Sequence, residues 1–386
     1  MRPTQTAERL QGFGTSIFAE MSSLAVETDS VNLGQGFPDT TGPIEVLDAA
    51  VTAIRSGENQ YPPGRGIPAL RRAVAAHQRR FLNLDYDADS EVLITTGATE
   101  AIAATILSLC EPGDEVVIFE PYYDSYAAGI AMAGALRRVV TLRREGERFS
   151  FDPEALRTAV TSRTRLLLLN SPHNPTGKVF SSSELQTIAD VACEYDLLVV
   201  TDEVYEHLVF DGEHRSLASL PDMRERTVVI SSAGKTFSVT GWKIGWACAP
   251  AQLIDAIITA KQFLTYASGA PFQPAIALGL GLADEYYLEL RDRLRACRDV
   301  LVNGLHEAGY DVPVPAATYF AVADVSSVGW DDGIAFCREL PRRAGVVAIP
   351  TAPFYDSDAG RSLVRFAFCK RPEVLTEAVR RLRAAG

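Results

Sequence analysis

Residues 165–203 have the sequence RLLLLNSPHNPTGKVFSSSELQTIADVACEYDLLVVTDE, and this stretch decides the fold class of the chain. The short runs at 165–172 and 197–203 are apolar and end in polar residues, which is typical of strands buried on both faces. Between them, residues 181–196 show a helical period after a serine at the N-cap position. This alternation indicates a mostly parallel sheet with helices on both of its faces.

The same pattern extends to either side of this stretch. EVLITTG (91–97) and EVVIFEP (115–121) predict strands, and ATEAIAATILSLC (98–110) predicts the helix between them. TVVISSAGK (227–235) and GWACAP (245–250) complete the series. In such sheets ligands bind beyond the carboxyl ends of the strands, so the functional site is expected there.

A different pattern begins near residue 285 and indicates a smaller α+β region. Its predicted elements are helices at 285–309 and 373–386, strand and turn within 310–325, and strands at 345–354 and 363–370. We therefore expect a large domain over residues 40–285. Residues 1–39 and 286–386 are expected to form the small domain together.

Composition and charge narrow the classes of function. The net charge is −12, from 37 basic and 49 acidic residues, which disfavours nucleic acid or an anionic membrane as the main partner. No apolar run approaches the length of a membrane span, and residues 1–14 lack the apolar core of a signal peptide. The six cysteines are scattered and the histidines show no H-E-x-x-H spacing. We expect a cytoplasmic protein with free thiols and no metal site.

Polar residues follow four of the predicted strands. Gly97, Asn170, Asp202 and Ser232 each lie just beyond an apolar run. Because the carboxyl ends of parallel strands meet at one edge of a sheet, we expect these residues to converge on a single site.

Lys235 and Asp202 are the candidates for covalent and ionic chemistry. Lys235 follows Ala233 and Gly234 in a segment with a buried character, and burial lowers the pKa of a lysine. A neutral amine is a nucleophile that forms imines with aldehydes. Asp202 could pair with a cation such as a protonated pyridine nitrogen. The alternatives are a lysine whose amine reaches solvent and an aspartate that caps a helix or pairs with an arginine.

A second group of residues suits an anion. Gly97, Ala98 and Thr99 begin a predicted helix, where free backbone N–H groups can bind phosphate. Ser232 and Lys243 could add a hydroxyl and a cation. An ordinary strand-to-helix turn is the alternative at this position.

Three further features could complete a site. Tyr122 and Tyr123 follow a predicted strand, where an aromatic face could stack on a flat ring. The turn at 170–177 offers asparagine donors between prolines and a glycine. Arg365 lies in an apolar strand and could hold a carboxylate in bidentate fashion. Core packing, a surface turn and a solvent-facing arginine are the respective alternatives.

Several motifs in one order resemble a known family. They are GATEA, EPYYDSY, NSPHNPTGKVF, TDEVYEHLVF, SSAGKTFSVTGWKIGW and LVRFAFCK. The chain resembles the class I aminotransferases, which are fold-type-I enzymes that use pyridoxal 5′-phosphate (PLP). Through NLGQGFPD, NQYPPG and SAGKTFSxTGWKxGW it is similar to the kynurenine, glutamine (transaminase K) and methionine aminotransferases, and to actinobacterial N-succinyldiaminopimelate aminotransferases. The fold-type-I architecture implied is α/β, with a large mostly parallel sheet domain and a smaller α+β domain.

The resemblance implies roles around the cofactor ring. Lys235 would be joined covalently to the cofactor aldehyde and would later move a proton between the substrate α-carbon and the cofactor. Asp202 would hold the pyridine nitrogen protonated. Asn174 and Tyr205 would donate hydrogen bonds to the phenolic oxygen, and Tyr123 would stack on the ring.

It also implies how the phosphate is held. Gly97, Ala98 and Thr99 at the helix N-terminus, together with Ser232 and Lys243, would bind the phosphate of the cofactor.

Tyr61, in NQYPPG, would reach that phosphate from a partner subunit, which makes the expected oligomer a homodimer with shared sites.

The substrate residues implied by the resemblance are Arg365, Asn174, Gly36, Phe18 and Tyr266. Arg365, Asn174 and the backbone at Gly36 would bind the α-carboxylate. Phe18 and Tyr266 would line the pocket for the side chain. Lys243 replaces the arginine of many class I enzymes but is usual in the kynurenine-type subgroup. No second arginine is placed to bind a dicarboxylate, so an aspartate-specific enzyme is not expected.

The implied activity is transfer of an amino group to a 2-oxo acid such as 2-oxoglutarate. The donor would be an α-amino acid with an aromatic, methionine- or glutamine-like, or N-succinyldiaminopimelate-like side chain. A PLP-dependent β-lyase acting on cysteine S-conjugates stays open as an alternative on the same fold. A regulatory relative with a DNA-binding domain is disfavoured, since about 30 residues precede NLGQGFPD and the chain is acidic.

Overall fold

The computed structural model of the chain describes residues 6–14 and 16–385. Residues 1–5 of the predicted N-terminal arm and Gly386 of the predicted last helix lie outside the described residues. The α-helices within these ranges are α1 (Ile17–Glu27), α2 (Ile44–Ser56), α3 (Pro68–Leu82), α4 (Gly97–Leu109), α5 (Asp124–Met132), α6 (Pro153–Ala159), α7 (Ser182–Glu194), α8 (Ala233–Thr236), α9 (Ala251–Leu264), α10 (Phe272–Leu280), α11 (Asp284–Glu307), α12 (Gly333–Ala344) and α13 (Pro372–Ala385).

The strands form four sheets. They are β1 (Val31–Asn32), β2 (Val92–Thr96), β3 (Glu115–Glu120), β4 (Leu136–Thr141), β5 (Arg143–Glu145), β6 (Arg148–Ser150), β7 (Thr164–Asn170), β8 (Leu198–Asp202), β9 (Thr227–Ser232), β10 (Ile244–Cys248), β11 (Phe320–Asp324), β12 (Val346–Val347), β13 (Ile349–Pro350) and β14 (Leu363–Ala367). The largest sheet has the strand order β2-β10-β9-β8-β7-β3-β4.

This central sheet is mostly parallel, as predicted. Only β10 runs against its neighbours, pairing antiparallel with both β2 and β9. The other pairs along the sheet are parallel. The edge strand β4 was not predicted, because half of its sequence LRRVVT is polar and its first three residues are exposed.

Both faces of the central sheet are buried. Along β3, Val116 and Ile118 contribute to one hydrophobic cluster, while Val117 and Phe119 contribute to another. Side chains alternate between the faces of a strand, so the two clusters lie on opposite faces. This double burial explains why the central strands are continuous apolar runs.

Local sequence signals fix the crossover helix α7. The Oγ atom of Ser181 accepts from the N–H of Glu184 at 3.2 Å. The carboxylate of Glu184 in turn accepts from the N–H of Ser181 at 2.8 Å. This capping box satisfies two backbone donors at the helix start, and it places β8 beside β7 with Asn170 opposite Asp202.

Among the described residues, β5 and β6 pair with each other within residues 143–150, and the two other smaller sheets belong to the α+β region. β11, β14 and β13 form an antiparallel sheet, and β1 pairs in parallel with β12. The single strand predicted for 345–354 was wrong, because the chain leaves β1 after Val347 and joins β14 from Ile349 onward. Pairing of β1 with β12 links the N-terminal segment to this region, while the domain boundaries at 39/40 and 285/286 stay predictions. Among the described residues, no helix combines the length and apolar character needed to cross a membrane.

Candidate active site

A cavity of about 360 Å³ lies at the edge of the central sheet where its parallel strands end. The four residues expected to converge from the strand ends, Gly97, Asn170, Asp202 and Ser232, all contribute to its wall. Every predicted site residue except Tyr61 and Tyr266 lines the cavity, namely Phe18, Gly36, Gly97, Ala98, Thr99, Tyr123, Asn174, Asp202, Tyr205, Ser232, Lys235, Lys243 and Arg365.

The reversed direction of β10 explains how Lys243 reaches this edge. Lys243 directly precedes β10, and the amino end of an antiparallel strand lies beside the carboxyl ends of its neighbours. A Cβ atom on Gly245 would lie 2.5 Å from the carbonyl carbon of Gly97, so β10 passes directly against the turn between β2 and α4. A Cβ atom on Gly97, whose φ is +73°, would lie 3.1 Å from Nζ of Lys243. The lysine is therefore held against the N-terminus of α4.

The N-terminus of α4 supplies backbone donors to the same corner. Gly97, Ala98 and Thr99 form its first turn, and the first N–H groups of a helix have no partner within the helix. Together with Lys243 and the hydroxyl of Ser232, they form a site suited to a phosphate group.

Lys235 lies in the short helix α8, and its amine reaches the cavity. Nζ of Lys235 donates to the carbonyl oxygen of Gly36 at 3.3 Å. The hydroxyl of Tyr319 donates to the same oxygen at 2.6 Å. Burial lowers the pKa of Lys235 to about 8, so about a tenth of the amine is neutral at pH 7, far more than for an ordinary lysine. A neutral amine is the nucleophile that reacts with an aldehyde.

Asp202 ends β8 and is buried. The hydroxyl of Tyr126 donates to Oδ2 of Asp202 at 2.5 Å, and the N–H of Val204 donates to Oδ1 at 3.4 Å. Burial raises the pKa of Asp202 to about 6, against the opposing effect of these two hydrogen bonds. No lysine or arginine among residues 6–14 and 16–385 forms an ion pair with this carboxylate, which therefore suits a ligand cation.

Arg365 is held by the loop that follows β7. The side chain of Asn170 accepts from the N–H of Asn174 at 2.7 Å and donates to the carbonyl of Asp202 at 2.8 Å. Asn174 then accepts from Nη1 of Arg365 at 3.2 Å, while Nη2 donates to the carbonyl of Gly34 at 2.9 Å. Within the described chain, Nε of Arg365 has no hydrogen-bond partner.

Aromatic rings surround this guanidinium group. Its central carbon lies 4.1 Å from the ring centre of Phe320, 5.1 Å from that of Phe18 and 6.0 Å from that of Phe354. Phe18 and Phe354 stack with ring centres 5.6 Å apart. Burial lowers the pKa of Arg365 to about 10, so the guanidinium stays charged at neutral pH. A buried cation with a free donor is suited to a carboxylate.

Tyr61 and Tyr266 are the two predicted site residues that the structure leaves outside the cavity wall. They contact each other instead, with ring centres 5.5 Å apart and edge-to-face geometry. Tyr61 is 84% exposed and Tyr266 is 51% exposed in the single chain. The structure of one chain therefore does not bring Tyr266 to the expected side-chain pocket.

Sequence reasoning missed Tyr126, Tyr319 and Phe354. Tyr126 follows Tyr123 by one helical turn, and this spacing was a usable signal because residues three apart share a helix face. Tyr319 and Phe354 are brought in by tertiary packing of β11 and of the segment after β13. Nothing in their local sequence indicates that role.

The cavity and its strand order define the class of fold-type-I PLP enzymes. The family model for class I and II aminotransferases matches residues 28–382. The chain belongs to the class I and II aminotransferase family and transfers amino groups with PLP as its cofactor.

Three relatives illustrate the similarity. The N-succinyldiaminopimelate aminotransferase of Mycobacterium tuberculosis is 54% identical, with 98% of each chain covered, and its structure superposes with a TM-score of 0.97. The methionine aminotransferase of Escherichia coli is 38% identical, over 99% of this chain and 98% of the relative. The kynurenine–oxoglutarate transaminase of Dictyostelium discoideum is 38% identical, over 96% and 94%.

The donor set of the cavity fits PLP. The first turn of α4 with Lys243 suits the phosphate, Asp202 suits a protonated ring nitrogen, and Lys235 suits the aldehyde. When bound, PLP draws electrons away from the substrate α-carbon, which makes the proton there easier to remove. Aminotransferases of this fold bind amino acids and 2-oxo acids in turn.

Proposed function

We propose that the enzyme takes an α-amino acid with an uncharged aromatic or methionine- or glutamine-like side chain as donor and a 2-oxo acid such as 2-oxoglutarate as acceptor. The observation that carries this proposal is the charge of the cavity wall. Its cations, among the described residues, are Lys235, Lys243 and Arg365. Each has a partner in the reaction, and none is left for a charged side chain.

The role of each cation follows from its surroundings. Lys243 borders the phosphate corner, and Lys235 would hold the aldehyde and then move the proton at the substrate α-carbon. Arg365 binds the α-carboxylate through its free Nε and its Nη atoms, with Asn174 and Gly36 beside it. The rings of Phe18 and Tyr123, whose centres are 6.5 Å apart, then form the wall for the substrate side chain.

Two further groups act on the ring of the cofactor. Tyr205 is buried in the cavity wall, and burial raises the pKa of its hydroxyl, which therefore stays protonated and can donate. Asn174 supplies the second donor to the phenolic oxygen. Tyr123 would stack on the ring, and Asp202 would keep the ring nitrogen protonated.

An N-succinyldiaminopimelate-like donor is the second candidate. It is favoured by the 54% identity to the Mycobacterium tuberculosis enzyme of that name. Its outer carboxylates would extend beyond the wall formed by Phe18 and Tyr123. Groups that bind them would have to come from a partner subunit.

We also propose a cytoplasmic homodimer. Tyr61 and Tyr266 are exposed and in mutual contact, and Phe263, three residues before Tyr266 in the chain, is 84% exposed. Large exposed aromatic groups of this kind mark contact surfaces. All six cysteines, which lie in the described ranges, are free thiols, as expected in a reducing compartment.

The substrate proposal is tested with half-reactions. Single amino acids are added to the PLP-loaded enzyme without any 2-oxo acid, and the visible band of the cofactor bound to Lys235 is followed. Phenylalanine, kynurenine, methionine and glutamine should bleach it faster than aspartate, and 2-oxoglutarate should restore it. Fast bleaching by aspartate would contradict the proposed pocket. Return of the band with release of pyruvate and ammonia would indicate β-elimination instead.

Variants separate covalent attachment from general damage. Lys235→Ala should lose the visible band and at least about 10⁴-fold of the activity. Lys261→Met removes another buried lysine, whose amine donates to the carbonyl of Tyr266 at 2.8 Å, and should keep the band.

The shared site is tested by mixing inactive chains. Tyr61→Ala and Lys235→Ala proteins are unfolded together and refolded as a mixture. If Tyr61 acts across the interface, hybrid dimers contain one complete site and regain activity that neither parent has. No recovery, with dimers present by light scattering, would place Tyr61 outside the partner's site.

A further inference from the structure

A cluster of two histidines and one glutamate lies outside the wall of the active-site cavity. His77 is on α3, and Glu206 and His207 follow β8. One ligand atom from each residue lies within 4.8 Å of the others. Nε2 of His77 is 2.8 Å from Nε2 of His207. These three residues are referred to below as the His–His–Glu cluster.

The cluster contains a buried carboxylate oxygen without a partner. Oε1 of Glu206 accepts from the hydroxyl of Ser231 at 2.9 Å. Oε2 of Glu206 is buried and has no hydrogen-bond partner among the described residues, and the same is true of Nδ1 of His77. Buried polar atoms are nearly always satisfied, so an unpaired carboxylate oxygen beside two imidazole nitrogens indicates a missing bound group.

The two histidines already face each other as a ligand pair would. Their Nε2 atoms are 2.8 Å apart. Because Nδ1 of His77 has no hydrogen-bond partner among the described residues, it can carry the ring proton and leave Nε2 of His77 free for a metal ion.

We propose that His77, His207 and Glu206 bind one zinc ion. Two imidazoles and one carboxylate are a zinc ligand set, whereas magnesium and calcium prefer oxygen ligands alone. Zinc–nitrogen bonds of about 2.0–2.1 Å would require the two Nε2 atoms to separate only to roughly 3.3 Å. Water would occupy the fourth position.

The expected absence of a metal site rested on short sequence spacings alone. His77 and His207 are 130 residues apart, so no local motif could reveal the pair.

The ion would have a structural function. It would connect α3 to the segment that carries Asp202 and Tyr205, and Ser231 would connect it to β9.

Metal analysis of the PLP-loaded protein tests the proposal. Wild type, His77→Gln, Glu206→Gln and the control His306→Gln are produced in zinc-supplemented medium and purified without chelator. His306 is a suitable control because its ring contacts the carbonyl of Val312 at 2.7 Å, away from the cluster. We expect about one zinc per chain in wild type and in the control, and less than about a tenth of that in the two cluster variants.

A second measurement does not depend on the folding of the variants. Wild-type protein produced with cobalt in place of zinc should show the visible absorption bands of tetrahedral cobalt, in difference to the zinc form. The proposal would be overturned if wild-type protein contained no more zinc than His77→Gln. It would also be overturned if the protein produced with cobalt gave only the spectrum of the aqueous ion. Equal zinc loss in His306→Gln would overturn it as well.

Discussion

The hydroxyl of Tyr126 donates to Oδ2 of Asp202 at 2.5 Å, where β8 ends at the cavity. The contact joins a residue of α5 to the carboxylate expected to hold the cofactor nitrogen. It lowers the pKa of Asp202, but burial has the larger effect and raises that pKa to about 6. In the cofactor-free protein, ionisation of this carboxylate therefore costs more free energy than ionisation of an ordinary aspartate.

The first prediction concerns the stability of the cofactor-free form. The pKa of Asp202 is raised in the folded state, from an ordinary value of 3.8 to about 6. The folded state therefore binds the proton more tightly than the unfolded state, and stability falls as pH rises across that interval. Asp202→Asn removes this loss of stability. The loss amounts to about 3 kcal/mol at pH values above the interval. Urea unfolding should show the variant to be more stable near pH 7.5, with a smaller difference near pH 4.

Tyr126→Phe is the matched variant for this prediction. Because the carboxylate loses a close donor, the pKa of Asp202 should rise further and the fall in stability should extend to higher pH. Identical pH dependence in wild type, Asp202→Asn and Tyr126→Phe would contradict the assignment. Cofactor affinity should fall in both variants.

The second prediction concerns recognition of the α-carboxylate. Arg365→Lys removes the free Nε and the planar fork while it keeps the positive charge. We expect kcat/KM for amino acids to fall about 100-fold or more, or ~3 kcal/mol, with the visible cofactor band retained. Steady-state kinetics check this. Arg144→Lys, in the surface pair with Asp311, is the control and should leave kcat/KM unchanged. Loss of the visible cofactor band in Arg365→Lys would indicate damage beyond the substrate site.

The third prediction concerns the amine of Lys235. Tyr319→Phe removes the 2.6 Å donor from the carbonyl of Gly36, which then accepts only from Lys235. A better acceptor favours the charged amine, so the pKa of Lys235 should rise from about 8. The pH midpoint for the rate of covalent PLP binding to the cofactor-free protein should move upward.

Tyr122→Phe serves as the control for this shift. Its hydroxyl donates to Asp356 at 2.6 Å, and Tyr122 does not contribute to the cavity wall. Both substitutions should lower the free energy of unfolding by about 1 kcal/mol. An equal midpoint in the two variants would show that Tyr319 does not act on Lys235.

The fourth prediction concerns the close approach of β10 to the turn before α4. In Gly245→Ala the new methyl group would meet the backbone of Gly97, which cannot move without displacing α4. We expect a loss of at least about 3 kcal/mol in denaturant unfolding and weaker phosphate binding. Gly241→Ala is the control, since nothing lies within 4 Å of its added methyl group. Similar losses of unfolding free energy in both variants would show that the effect comes from reduced backbone flexibility and not from the contact with Gly97.

Strand positions in the central sheet could be predicted because full burial leaves a continuous apolar run, as in β7 and β8. The edge strand β4 could not, since exposure removes that signal. Strand direction was equally invisible: the sequence of β10 resembles that of its parallel neighbours. The interruption between β12 and β13 depends on which strand each segment pairs with, and not on local composition.

The candidate site could be predicted where its residues end strands or begin helices. Gly97, Asp202 and Ser232 are of this kind. Tyr319 and the His–His–Glu cluster could not be predicted, because their partners are distant in the chain. Tyr61 and Tyr266 differ again, since their expected function depends on the proposed second chain of a dimer.

The segment between β9 and β10 contains both Lys235 and Lys243, eight residues apart. In the proposed arrangement Lys235 would hold the aldehyde end of the cofactor and Lys243 its phosphate end, so both anchors depend on the same short stretch of backbone. Because the bond to Lys235 is covalent, a local opening of residues 233–243 would loosen the phosphate end and admit water to the covalent bond, without itself breaking that bond. Amide hydrogen exchange in this loop and hydrolytic loss of the cofactor are therefore expected to share one opening free energy.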